Sequence, residues 1–119
     1  LANMGFQLSA RQQAQMAFLQ MLPPKIHKVA SIVEQMNNAR LDETLVRSMI
    51  RTLDQSKAGA AQLSITGLAD ALGAMASVAR RGGGLQVKIR MLQDQIGGVR
   101  QHYDAAVKKA SIPEAGDEE

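Results

Sequence analysis

The chain has no cysteine and no tryptophan, and its aromatic residues are one tyrosine and two phenylalanines. Without cysteine there is no disulfide, no thiol nucleophile and no Cys-ligated zinc, and the usage fits a reducing compartment, so the cytoplasm is the expected location. So few aromatics leave a core of Leu, Ile, Val, Ala and seven Met, which favours packed helices over a β-sandwich. Long apolar runs are missing too. No window approaches the roughly eighteen apolar residues of a membrane span, and the opening LANMGFQLSARQQ lacks the basic-then-apolar order of a secretory signal.

What is present is a chain of 119 residues, 45% of them apolar, enough for one core and too short for two comfortable ones. The formal charge of +3 hides an asymmetry, because Glu114, Asp117, Glu118 and Glu119 concentrate acid at the end and leave the body more basic. A basic body suits nucleic acid, anionic lipid or an acidic protein pocket. Nucleic acid is the weakest of these: aromatics for base stacking are too few, and no helix-turn-helix glycine turn is present.

Hydrophobic periodicity predicts five helices. Ser9 caps a first helix over about 9–22, with Ala10, Ala14, Ala17 and Met21 at helical spacing until Pro23 and Pro24. Pro24 opens a second, whose stripe is Ile26, Val29, Ile32, Val33 and Met36, ending near Asn37 and Asn38. Asp42 caps a third to about Ser64, with Leu45, Met49, Leu53, Ala60 and Leu63 inward and Val46 and Ile50 widening the face. Thr66 caps a fourth carrying Leu68, Leu72, Met75 and Val78 or Ala79, stopped by Arg80, Arg81 and the glycines 82–84.

The last helix is the most regular, with Leu85, Ile89, Leu92, Ile96, Val99, Tyr103, Ala106 and Ala110 at alternating steps of four and three. Gly97 and Gly98 interrupt it at roughly 1 kcal/mol each relative to Ala, marking close helix contact or a bend. The expectation is an all-α fold: an antiparallel up-and-down four-helix bundle with a short extra N-terminal helix over 1–110, followed by a disordered acidic tail over 111–119.

Enzymatic constellations are thin. There is no HExxH and no GxxxxGK, and the GGG at 82–84 has no strand before it to make a phosphate loop. His27 and His102 each lie one step off an apolar stripe, where boundary or surface positions are expected. Asp42 and Glu43 serve a helix start, Asp70 and Asp94 stand alone, and the methionines fill the core, so neither a metal nor a cofactor is expected.

The third helix is different. Steps of three and four put Arg47, Arg51, Asp54, Lys57 and Ala58 on one outward strip, and Gly59 and Ala61 keep the surface beyond Asp54 low. A small-residue floor with a basic rim can receive another protein closely. Read as an ordinary solvated face, the same strip has Asp54 bridging Arg51 and Lys57.

Residues 51–60 read R-T-L-D-Q-S-K-A-G-A, which resembles the third-helix signature R-x-x-H-x-x-K-G-x-A of the histidine phosphotransfer domains of two-component signalling. Arg51, Lys57 and Ala60 match; Leu63, a turn near Thr66 and an amphipathic helix from Leu68 follow, as in the family, and the resemblance covers about residues 14–110. It implies a docking face for a response-regulator receiver or a histidine kinase. Two positions depart: Asp54 stands at the phosphorylated histidine and Ala58 at the glycine. A carboxylate cannot form the phosphoramidate that an imidazole nitrogen forms. A receiver-type aspartate needs an acidic cluster and Mg²⁺, where this helix supplies Arg51 and Lys57.

The resemblance therefore implies a non-catalytic docking module, with Asp54 at a pseudo-phosphorylation position and Arg47, Arg51, Asp54, Lys57, Ala58, Gly59 and Ala61 as partner-binding residues. Two alternatives stay open: an oligomerisation module built on the heptad-like last helix, or a working relay using His27 or His102.

Overall fold

The structure, a computed structural model, describes residues 7–38 and 42–114. Five helices, α1 (Ala10–Gln20), α2 (Pro23–Asn37), α3 (Glu43–Gln62), α4 (Thr66–Arg80) and α5 (Leu85–Ala110), make it all-helical, with no strand among the described residues.

Local chemistry sets most ends. Ser9 and Gln12 close a reciprocal capping box on α1, each side chain bonded to the other residue's backbone N–H at 3.0 Å. Pro23 occupies the first position of α2, where a missing N–H costs nothing. The Asp42 carboxylate accepts from the Thr44 N–H at 2.9 Å and caps α3. Thr66 is not the cap of α4: Ile65 takes that place without a side-chain bond, and the Thr66 hydroxyl turns back to the Ser64 carbonyl.

The α3–α4 turn explains the shift. Ser64 adopts a left-handed φ of 62°, and the Ile65 N–H reaches back to the Ala60 carbonyl at 2.8 Å, so buried Ile65 is already committed to the core. At the next turn Gly83, with φ of 107°, takes a conformation open to glycine and strained for other residues.

One aliphatic core joins all five helices. The expected stripe of α2 is buried throughout, as are Met49, Leu53 and Ala60 of α3 and Leu68, Leu72, Met75, Val78 and Ala79 of α4. Ile89, Leu92, Ile96 and Val99 of α5 are turned into this same core. The seam considered for oligomerisation is thus occupied within the chain.

The face of α1 differs from expectation. Ala10, Ala14, Ala17 and Met21 are exposed, while Gln12 and Leu19 are buried and Met16 and Phe18 pack against the core. Larger apolar side chains gain more by burial than alanine, and they decide the rotation of so short a helix. Gln12 tolerates burial because it is bonded, its amide donating to the Ile112 carbonyl at 2.5 Å.

Helix α3 packs on α4, α4 on α5, and α2 on both α3 and α5; α1 likewise lies against α5 and α3. The Tyr103 hydroxyl donates to the Leu19 carbonyl at 2.8 Å, and Gln15 donates to the Leu63 carbonyl at 2.8 Å. Ser111–Glu114, assigned to the tail from sequence, are held to α1 through Ile112 and an Arg11–Glu114 ion pair of 3.2 Å; residues 115–119 lie outside the described residues. No helix is long and apolar enough to cross a membrane among the described residues.

Candidate docking face on α3

Twenty residues from Glu43 to Gln62 give α3 more than five turns, and the strip of interest, Arg47 to Ala61, runs along most of its length. Met49, Leu53, Ser56 and Ala60 point inward, and Ala60 is fully buried. Ser56 is the one inward residue that apolar periodicity misses, since a small hydroxyl carries no hydrophobic signal. Opposite this buried line, Arg47, Arg51, Lys57, Ala58 and Ala61 are exposed and Asp54 is half-buried.

Asp54 does not bridge Arg51 and Lys57. Its carboxylate accepts a charge-assisted hydrogen bond from the Arg80 guanidinium at the end of α4, with the two side chains 40% and 52% exposed. The reason is tertiary: α4 packs on α3 and brings to Asp54 the Arg80 guanidinium, whose planar fork suits a carboxylate. In the sequence Arg80 marks only the end of a helix.

Lys57 follows the same side. Its aliphatic stem runs across Gly73 of α4, where an added Cβ would come within 3.1 Å of Cδ and Cε and 3.3 Å of Nζ. Glycine here gives the stem a bed while the ammonium remains exposed. Gly73 carried no signal in the sequence beyond being a glycine inside a helix.

Gly59 is turned away from the strip. A Cβ on it would lie 2.5 Å from Cε1 of Phe18, so its smallness admits α1 rather than a partner. Of the seven residues singled out, six share the outward face and Gly59 serves packing.

Beneath the strip the protein is closed. The cavity lined by Thr52, Leu53, Ser56 and residues of α2, α4 and α5 holds about 10 Å³, room for no more than a water molecule. That volume is too small for a substrate.

Both histidines are exposed, His27 on α2 and His102 on α5 against Gly67, and neither lies on the strip. Among the described residues, no group of three or more His, Asp or Glu is arranged to hold a metal ion.

No family model, curated protein or solved structure matches the chain. The properties of the face rest on its own geometry: Arg47, Arg51 and Lys57 are exposed along it with Ala58 and Ala61, and Asp54 is paired with Arg80 of α4.

Proposed function

We propose that the chain is a non-catalytic, histidine-phosphotransfer-like docking domain that binds an acidic protein partner, a response-regulator receiver or a histidine kinase, through the outward face of α3. The observation that carries this is the Asp54–Arg80 pair. A bare carboxylate at the histidine position would repel the acidic phosphorylation pocket of a receiver, and Arg80 removes that repulsion while Arg47, Arg51 and Lys57 stay exposed.

The architecture proposed with it is an antiparallel up-and-down bundle. Its support is the order of cross-helix neighbours: Lys28 meets Thr52 and Phe18 meets Gly59, Asp54 meets Arg80 and Lys57 meets Gly73, Lys88 meets Ala79 and His102 meets Gly67. In each pair one number rises as the other falls, which is the mark of antiparallel neighbours. Helices α1 and α2 share the same two neighbours, so the short N-terminal helix extends the first lane of the bundle past the break at Pro23 and Pro24.

The experiment is a transfer assay with a phosphorylated receiver, read on Phos-tag gels. The natural chain takes up no phosphate, whereas Asp54→His gains acid-labile label because the docking geometry is retained. Acid-labile label on the natural chain would overturn the non-catalytic reading. A variant that neither binds nor accepts phosphate from any receiver or kinase tried would overturn the docking reading.

A further inference from the structure

Gly97 and Gly98 stand together in the interior of α5, where each weakens the helix relative to alanine, yet a Cβ on either would meet nothing within 4 Å. No neighbour among the described residues requires them to be small. Gly98 belongs to the outward face of α5, in line with Val87 and Met91 before it and Ala105 after it, at steps of four and seven. Val87 is 65% exposed and Met91 36%. Further along, Gln101, Asp104, Ala105, Lys108, Lys109 and Ile112 line an open groove of about 590 Å³, and Ile112 is itself 60% exposed. The exposed charges on and beside this strip are Arg90, Asp94, Asp104, Lys108 and Lys109, none of them in an ion pair among the described residues, and Asp94 and Lys108 form an oppositely charged pair at equal distance from Gln101.

We propose that this face of α5 packs against the same face of a second copy of the chain, the two helices running antiparallel. Charge order selects the occupant and the direction. Positions 94 and 108 are equally far from Gln101, so a twofold axis there sets Asp94 of each copy beside Lys108 of the other. The same register places Gly97 and Gly98 opposite Ala105 and Asp104, letting the backbones approach where small residues face each other. It also carries Met91 to the groove beside Lys108 and Ile112. A parallel pair would oppose Asp94 to Asp94. The seven-residue step from Met91 to Gly98 to Ala105 keeps the strip in line along a helix pair. One helix pair buries less than a standard interface, so the association is weak and concentration-dependent. Among the described residues helices α3 and α5 are not side-by-side neighbours, and the dimer leaves both α3 faces free.

Sedimentation equilibrium on the full chain tests this, with Gly98→Gln, Asp94→Lys, Lys108→Asp and the double exchange D94K/K108D. The natural chain shows a reversible monomer–dimer equilibrium. Gly98→Gln weakens it by about tenfold or more, while its melting temperature at a concentration where the natural chain is monomeric is unchanged or higher, because glutamine is the better helix former. Each single charge change weakens the dimer roughly threefold to tenfold, and the double exchange restores it. A natural chain that stays monomeric to millimolar concentration overturns the proposal. So does a dimer indifferent to Gly98→Gln, or a double exchange no better than the single changes.

Discussion

Tyr103 shows how one side chain ties function-neutral packing to a measurable pH response. It is half-buried at the α1–α5 contact, and its hydroxyl donates to the Leu19 carbonyl. Desolvation by burial, and then the nearby charge of Asp104, raise its pKa above the ordinary value of 10.0. The ionised form is therefore penalised in the folded state only, and the folded protein binds the proton more tightly than the unfolded chain. Stability from this group is full below pH 10 and falls as pH rises toward the raised value. Tyr103→Phe should cost about 1 kcal/mol near neutrality through the lost hydrogen bond, and the gap between the two proteins should shrink above about pH 10, measured by urea denaturation across pH. At the same scale the Asp54–Arg80 pair, being exposed, contributes under about 1 kcal/mol to stability, so its significance is the cancelled charge.

Among the elements, the α3–α4 turn stores a removable cost. Ser64 holds φ of 62° and is exposed, with its backbone fixed by the Ile65-to-Ala60 hydrogen bond rather than by its own side chain. Left-handed backbone costs a residue with Cβ roughly 1–2 kcal/mol, so Ser64→Gly should stabilise by about 0.5–1 kcal/mol after the added freedom of the unfolded chain is subtracted. Chemical denaturation would show the midpoint rise; a fall would mean that the turn relies on the serine hydroxyl. Helix α1 makes the complementary point about legibility. Its ends were readable from Ser9 and the prolines, but its buried face was not, because Phe18 could be accommodated only through the absence of a side chain at Gly59 on α3.

For the whole molecule, the heptad-like stripe of α5 settles what the core is made of. Leu92 is fully buried among residues of the other helices, so Leu92→Ala should cost about 2–5 kcal/mol, and Leu92→Asp should unfold the chain rather than release intact helices. Circular dichroism distinguishes these, since retained helicity in Leu92→Asp would return the seam to an intermolecular role. The proposed self-association uses the opposite side of the same helix, and the two sets of substitutions therefore separate: the core series changes melting, the outer series changes mass.

Sequence alone determined the helices, their order and most of the core, because caps, prolines and three-to-four spacing are local signals that each helix carries without its neighbours. It also determined that Arg47, Arg51, Asp54, Lys57, Ala58 and Ala61 share a face, since that follows from helical geometry. Tertiary structure decided which charge Asp54 takes as its partner, what lies beneath Lys57 and which way Gly59 faces. Arg80 and Gly73 come from α4 and Phe18 from α1, more than a dozen residues distant along the chain. Pairings of that kind depend on how helices lie side by side, and no periodicity within one helix encodes its neighbour's side chains.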